Sequence, residues 1–486
     1  MLVEAGACYA RMIHGSIEER DWLHEYLSFP DAHLAYLQRR YSVDARKRMF
    51  NQATGSFPAG FVPLVRRQGA VEGFTVDVVD KRSPPVQRDM CADLGWLRDY
   101  QLAAVEAVVK YTRGLLHLPT GAGKTECAVA LTRVFPCKWL FLVESVSLMH
   151  QAADRYELRT NLPSGRVGDG VFTCTDSSFV CASFGTMRSL IEKRDLRGTA
   201  ILAHVGGLIV DECHQLPADS FFRTVQAIPA YWRVGLSGTP LARGDRKSSL
   251  AVGALGPVIY RVTTEKLVEC NVIELPKVSM VLHQHTNVVK VPPQSARAWD
   301  VVYKGAVVSN AARNALVIQY ASQAKKPCII FVKNVRHGKA LTADLCRAGV
   351  PSRFVWGALS TVVRDQVIKE LERGVLEVIV ASVVFQTGID IPSLQSAVVA
   401  AGGKSAIATI QRVGRGTRKS AGKEGFDVYD FEDRGCGCTS NARAMGLRGT
   451  MGTHAACRWL ESHTKDRIAA YVSEGYAVTH VTPAAL

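Results

Sequence analysis

No run of this 486-residue chain is long and apolar enough to cross a bilayer. The most apolar region, residues 375–403, is broken by Glu377, Gly388, Asp390 and Pro392, which suits two buried strands and a loop better than a helix in lipid. The opening, MLVEAGACYARMIHGSIEERDW, lacks both a basic start and a sustained apolar core, so no secretory signal is expected. The thirteen cysteines lack regular spacing, which argues against a disulfide framework and for thiols kept reduced in the cytoplasm. Acid is also in short supply: 44 Asp and Glu stand against 59 Lys and Arg, a formal charge of +15. Such an excess attracts polyanions, because each phosphate neutralised releases a counterion, although charge alone does not separate DNA from RNA or an anionic membrane. With 47% hydrophobic residues the chain reads as an ordinary globular protein of about two to four domains.

What is present centres on LLHLPTGAGKTECAVAL, residues 115–131. An apolar strand runs into a small-residue turn, and a helix opens at Lys124 and Thr125. Gly121 and Gly123 allow a tight turn whose N–H groups point inward, toward the positive end of the helix dipole. In such a cradle, formed by Pro119, Thr120, Gly121, Ala122 and Gly123, Lys124 reaches the β and γ phosphates of a nucleotide and the Thr125 hydroxyl holds magnesium. Leu118 stands where the usual phosphate-loop pattern has its first glycine, but the strand before and the helix after supply the context that the motif needs.

Residues 1–90 differ from the rest: a helix near Glu18 to Leu27, then short apolar or alternating runs such as GFVPLVRR and GFTVDVVDK, which fit a small α+β module. Here Arg39, Arg40, Arg46, Lys47, Arg48, Arg66 and Arg67 are interleaved with Tyr36, Tyr41, Phe50, Phe57 and Phe61, a mixture that serves a nucleic-acid surface or a solvated basic face over an aromatic core. From Leu94 onward strands and helices alternate. KWLFLV (138–143), FVCAS (179–183), GGLIV (206–210) and WRVGL (232–236) are the short β-branched runs of a parallel sheet buried on both faces. Ligands of such sheets sit beyond the carboxyl ends of the strands, where Asp211, Glu212, Cys213 and His214 follow GGLIV, and Ser237, Gly238 and Thr239 follow WRVGL. A carboxylate there can hold magnesium, and its neighbour can orient the attacking water.

After a less regular stretch from Pro240 to about Gln294, a second α/β series begins with CIIFV (328–332), SRFVW (352–356), a helix from Thr361 to Arg373, LEVIVAS (376–382) and SAVVAA (396–401). It has no phosphate loop of its own. It carries QTGIDIP (386–392) and IQRVGRGTR (410–418), in which Arg412, Arg415 and Arg418 recur every third residue and share a face if helical. Arginine forks stabilise charge on a transferring phosphoryl group. Cys436, Cys438, His454, Cys457 and His463 do not have the spacing of a recognised zinc finger and read as simple thiols and histidines.

LRDYQ, LPTGAGKT, DECH, SGT, QTGID and QRVGRGTR fall in the order found in superfamily 2 DExH-type helicases, and the chain resembles the UvsW/XPB branch over residues 94–431. The resemblance implies an α/β fold of two tandem RecA-like, doubly wound parallel-sheet domains. It places an amino-terminal accessory, DNA-binding domain at 1–90, the ATP-binding domain at 91–257, the second motor domain at 258–440 and a helical extension at 441–486. It implies ATP and Mg2+ as cofactors, with Arg98 and Gln101 on the adenine side and Lys124 and Thr125 on phosphates and metal. Asp211 and Glu212 serve metal and water, and His214 links to Ser237 and Thr239. Gly388 and Asp390 couple nucleotide to nucleic acid, and Arg415 and Arg418 act as arginine fingers beside Gln411. Ser145, in VESVSLMHQ with Glu144 where many relatives have proline, Thr186 and Thr387 are implied contacts to nucleic acid. The expected activity is that of a monomeric ATP-dependent motor on branched or duplex DNA, single strands being possible, in the cytoplasm of a bacterium or a phage-infected host. An RNA-dependent ATPase, a nuclease-associated motor and a nucleotide-sensing DNA-binding module are the alternatives. Intact Glu212, Arg415 and Arg418 argue against a mere sensor, and no convincing nuclease cluster occurs in residues 1–90.

Overall fold

The computed structural model describes residues 1–30, 46–85, 93–173, 177–213, 218–238, 246–285, 298–382, 391, 393–403, 413, 414, 416, 417, 423, 425–434 and 452–483, which belong to two compact units, Met1–Thr263 and Thr264–Leu486. In the first, a four-stranded sheet has the order Ser56–Pro58, Tyr9–His14, Leu2–Ala5, Asp77–Asp80. Val3, Ala10, Met12 and Phe57 from this sheet share a core with Leu23 of the helix Ile17–Tyr26 and Val65 of the helix Val62–Val71. The first helix starts at a reciprocal cap, Ser16 Oγ accepting from Glu19 N–H while the Glu19 carboxylate accepts from Ser16 N–H. GFVPLVRR, an apolar run in the sequence, becomes a single 3-10 turn, Ala59–Phe61, and then a helix; Pro63 is tolerated in its first turn, where an N–H has no helical partner.

This small module is fitted tightly to its neighbour in the same unit. A Cβ on Gly60 would lie 2.1 Å from the carbonyl oxygen of Val252 and 2.5 Å from that of Gly253, both in the helix Arg246–Leu255. Below, the fully buried Arg233 donates to the carbonyls of Val225 (2.9 Å), Ile228 and Ala254 (2.9 Å) and to Cys8 Sγ (3.6 Å). Those carbonyls lie at the carboxyl ends of the helices Ala218–Gln226 and Arg246–Leu255, whose dipoles present negative potential to a guanidinium that has no carboxylate partner among the described residues. Arg113 adds a bond from Nη2 to the Ala7 carbonyl at 2.9 Å.

The larger sheet of the first unit has the order Val171–Thr173, Gly165–Gly168, Phe179–Ser183, Lys138–Val143, Val205–Val210, Trp232–Ser237, Arg113–His117, Val258–Arg261. Its pairs are parallel except the first. The strands Arg113–His117, Val205–Val210 and Trp232–Ser237 are buried at every residue, as a sheet covered on both faces requires.

The second unit is built on an all-parallel sheet ordered Ser352–Val355, Val378–Ser382, Cys328–Val332, Ser396–Val399, Asp427–Arg434, Lys277–Gln284, Ala477–Val481. Alternate residues enter separate cores: Ile329, Phe331, Ile379 and Ala397 pack on one face, and Ile330, Val332, Val380 and Val398 on the other. The stretch from Pro240 to Gln294, irregular by sequence, contributes the helix Arg246–Leu255, the strand Val258–Arg261 and the strand Lys277–Gln284. The last residues extend this sheet as the strand Ala477–Val481, beyond the expected terminal helix, Gly452–Ser473. Among the described residues no helix is long and apolar enough to cross a membrane, and the described cysteines are free, with Cys127, Cys181, Cys213 and Cys328 buried.

Two buried histidines of this unit make its stability fall as the solution is acidified. Burial, with help from His285 and Arg313, lowers His283 from the usual 6.5 to about 4, and burial, then Arg313, brings His337 to about 4. Both stay neutral in the folded state while the unfolded chain protonates them. Their contribution is therefore complete above pH 6.5 and is lost as pH falls toward 4, by several kcal/mol in all. His337 Nε2 lies 2.9 Å from Asn314 Oδ1, a bond that a glutamine amide can replace. His337→Gln should flatten the fall in thermal midpoint between pH 7 and pH 4.5, leaving the His283 part; an unchanged pH profile would refute this assignment.

Candidate active site

The strand Arg113–His117 pairs in register with Trp232–Ser237, His117 opposite Ser237, and Leu118 N–H continues the ladder to the Ser237 carbonyl at 2.9 Å. The chain then turns through Gly121 (φ +89°) and Gly123 (φ +80°), left-handed values that glycine adopts without strain, into the helix Lys124–Val134. Gly123 has no side chain with which to cap that helix, so the first N–H groups stay directed at whatever lies over the loop. Lys124 opens the helix with the charge least favoured by its dipole, a placement that serves an anionic ligand better than it serves stability. The loop is held from below: Tyr100 Oη and Gln101 Nε2 both donate to the Ala122 carbonyl, at 3.0 and 2.9 Å, while Gln101 Oε1 accepts from Arg98 N–H at 3.0 Å. Gln101, implied as an adenine contact, is thus 1% exposed with both ends of its amide engaged inside the protein, whereas the Arg98 side chain faces solvent.

Sheet order brings the acids to this loop. Val205–Val210 lies next to Trp232–Ser237, which lies next to Arg113–His117, so Asp211 and Glu212 emerge two strands from the loop with Gly238 between. Asp211 N–H donates to Leu142 O (2.9 Å) and Cys213 N–H to Leu236 O (3.1 Å), clamping the turn to both neighbouring strands. That clamp supports Glu212 at φ +45°, a conformation that non-glycine residues rarely adopt. Its carboxylate reaches Lys124 Nζ at 2.8 Å and accepts from Gly238 N–H at 3.3 Å. A Cβ on Gly238 would stand 2.9 Å from Lys124 Nζ and 3.3 Å from Glu212 Oε1, so the absence of a side chain there lets lysine and glutamate meet. The Asp211 carboxyl is pushed up to about 7 by burial and by Glu212, with Lys124 pulling the other way. Burial, then Glu212, also raises Glu144, the residue after the strand Lys138–Val143. The carboxyls of Glu144, Asp211 and Glu212 thus come near one another beside Lys124, and Asp211 and Thr125 are groups that could hold a divalent cation.

The family described as "Type III restriction enzyme, res subunit" matches residues 95–242, and "Helicase conserved C-terminal domain" matches residues 311–420, together more than half of the chain. The DNA 3'-5' translocase XPB2 of Sulfurisphaera tokodaii is 26% identical over 71% of this chain and 82% of its own length. The ATP-dependent DNA helicase uvsW of Enterobacteria phage T4 is 26% identical over 78% of this chain and 75% of its own. The chain is a superfamily 2 helicase of the UvsW/XPB type. Its fold also matches a solved ATP-dependent Type ISP restriction-modification enzyme, LlaBIII, with a TM-score of 0.57 at 14% identity, over 86% of this chain and 34% of that one.

Other expected positions of the helicase are less concentrated. Ser145 caps the helix Val146–Thr160, its Oγ accepting from Leu148 N–H at 3.3 Å, and Thr186 Oγ1 accepts from Ser183 Oγ at 2.7 Å. Lys47 pairs with Asp219 at 3.0 Å, while Arg66 and Arg67 are exposed on the helix Val62–Val71. Arg39, Arg40, His214, Thr239, Thr387, Gly388, Asp390, Gln411, Arg415 and Arg418 lie outside the described residues. Sequence reasoning passed over Tyr100 and the spatial role of Gly238, since nothing in their local sequence shows which atoms they will meet. It also passed over His283, His285 and Asp433, which are close enough together to hold a metal ion. There, however, the Asn310 amide donates to His283 Nε2 (3.2 Å) and His285 Nδ1 (3.3 Å), and Arg313 pairs with Asp433 at 3.0 Å, so these ligand atoms are already bonded within the protein.

Proposed function

We propose that this helicase is an ATP-driven DNA translocase that remodels forks or junctions. The observation that carries the ATPase reading is the convergence of Lys124, Glu212 and Gly238 over the loop Pro119–Gly123, beside a buried Asp211. In this reading Lys124 turns from Glu212 to the β and γ phosphates, and the freed Glu212 orients the attacking water and takes its proton. Asp211 and Thr125 would hold Mg2+, which would neutralise charge on the phosphates when bound. Arg415 and Arg418 stabilise the charge of the transferring group, and Gln411 and His214 orient these parts. Gly388, Asp390, Ser145, Thr186 and Thr387 belong to the path between nucleotide and strand. DNA as substrate is supported by the +15 charge and by the relatives, whose names specify DNA.

The test is the ATPase rate with single-stranded DNA, duplex, fork, four-way junction and RNA. Stimulation by branched DNA above the others supports the reading, and stimulation by RNA alone overturns it.

Shape preference falls to the amino-terminal module, since backbone contacts carry no sequence information. Arg66 and Arg67 are the exposed candidates among the described residues, and Arg39, Arg40 and Lys47 are the others that the sequence offers. Deleting residues 1–90 is a poor test, because it strips Arg113 and Arg233 of their Ala7 and Cys8 partners. Arg66→Glu with Arg67→Glu should instead weaken fork binding about tenfold and make the slope of log affinity against log salt shallower by about 1 to 2. Equal affinities and slopes would remove this helix from the interface.

A further inference from the structure

The outer face of the helix Ile17–Tyr26 takes no part in the core or in the nucleotide site. Leu23 is the residue that this helix buries. Ile17, Glu18, Asp21, Trp22 and Glu25 lie within an arc of about 140° on the opposite side. Facing them stand Glu72, which follows the helix Val62–Val71, and Phe74, and the two elements border an open groove of about 790 Å³. Its apolar part is mostly aromatic. The Trp22 ring is stacked on Tyr26, with centroids 5.2 Å apart and planes 7° apart, and tilted against Phe74 at 5.3 Å and 57°. Both Trp22 and Phe74 are half-buried, and Ile17 is 81% exposed.

The charge of this groove runs against that of the chain, whose formal total is +15. Glu25 is paired with Arg46 at 3.5 Å and Arg48 at 2.8 Å. Asp21 and Glu72 accept only from neutral amides, Gln52 Nε2 at 3.4 Å and Gln68 Nε2 at 3.1 Å, and with Glu18 they have no cation partner among the described residues. Three carboxylates without a counter-charge thus surround aromatic rings. A nucleic-acid phosphate would be repelled here. A guanidinium is drawn by both components, because its plane stacks on an indole face while its N–H fork bonds carboxylates. The exposed Ile17 offers an apolar contact beside it.

We propose that this groove docks a basic segment of a partner protein, an arginine of which lies against Trp22 and the carboxylates of Glu18, Asp21 and Glu72, with a neighbouring apolar side chain on Ile17. Charge complementarity selects that occupant over DNA. The amino-terminal module then carries a protein-docking site of its own, whether or not its exposed arginines meet DNA.

The probe is an amidated peptide, Gly-Arg-Leu-Arg-Leu-Gly, titrated calorimetrically into the full chain beside the same peptide with uncharged citrulline in place of both arginines. The arginine peptide should bind about tenfold more tightly than the citrulline peptide, although the net charge of the chain repels it. Glu18→Gln with Asp21→Asn alters two exposed side chains and should weaken the arginine peptide about tenfold, leaving fork binding and DNA-stimulated ATP hydrolysis as they were. Trp22→Leu, which keeps an apolar side chain beside Tyr26 and Phe74, should weaken it similarly; if that variant fails to fold, the double substitution carries the test. No binding, equal affinity for the two peptides, or an affinity that the double substitution leaves unchanged would overturn the proposal. So would a loss of fork binding in the double variant, which puts DNA in the groove, or self-association of the full chain that this variant abolishes, which puts a second copy there.

Discussion

Lys124→Ala is expected to abolish ATP hydrolysis, a loss of about a thousandfold or more, in a chain that stays folded. Alanine is the best helix former, and removing a cation from a helix amino terminus relieves an unfavourable dipole interaction. Against this stands the loss of the 2.8 Å pair with Glu212, a contact at the rim of the core with 13% and 18% of the two side chains exposed. The net change in stability should be small beside the loss of activity, because Glu212 keeps its bond from Gly238 N–H. The Glu212 carboxylate can turn to water, but no side chain replaces the lysine at the phosphates. The measurements are the steady-state ATPase rate and the thermal midpoint. Hydrolysis persisting in a cleanly folded variant would show that the loop does not cradle a nucleotide. A collapsed midpoint would mean that Lys124 is chiefly a counter-ion for Asp211 and Glu212.

Arg418→Ala should separate binding from chemistry. An arginine finger acts on charge that develops during phosphoryl transfer, so nucleotide affinity should change by no more than a few-fold while kcat falls by about a thousandfold. Arg418 follows Thr417, whose Oγ1 donates to the Gly414 carbonyl at 2.8 Å and whose own carbonyl is bonded to Glu274 N–H, so the preceding backbone is pinned without help from the arginine. The variant should therefore fold. Equilibrium binding of a fluorescent ATP analogue, set beside single-turnover hydrolysis, decides the matter: equal losses in both would make Arg418 a ground-state ligand.

Much of the fold was legible because each buried parallel strand carries its own signal. KWLFLV, FVCAS and CIIFV are strands with the expected bounds, since four or five consecutive apolar, β-branched or aromatic residues fit little else between polar turns. Lys277–Gln284 escaped notice because Lys277, Ser279, His283 and Gln284 dilute its apolar residues; its partner strands on both sides, Asp427–Arg434 and Ala477–Val481, bury it nonetheless. The helix Val62–Val71 was obscured by Pro63 and Gly69, poor helix formers that the first turn and a tight approach to Val76 accommodate.

The sequence by itself determined the local chemistry: a glycine turn between a buried strand and a helix, acids at the end of another strand, and a surplus of cations. These depend on neighbours in the chain, where backbone preference and apolar period act directly. Tertiary structure decided the pairings. Glu212 meets Lys124 because two crossovers set their strands around Trp232–Ser237 and Gly238 has no side chain to intervene. Gln101 lies under the phosphate loop, Arg233 bridges two helix ends to Cys8, and Arg467 reaches back to Gly403 across 64 residues. Long side chains buried by packing must bond whatever polar atoms the fold brings near, because an unsatisfied buried group costs more than a bond returns. Which atoms those are depends on sheet order and helix placement, and no local pattern records it.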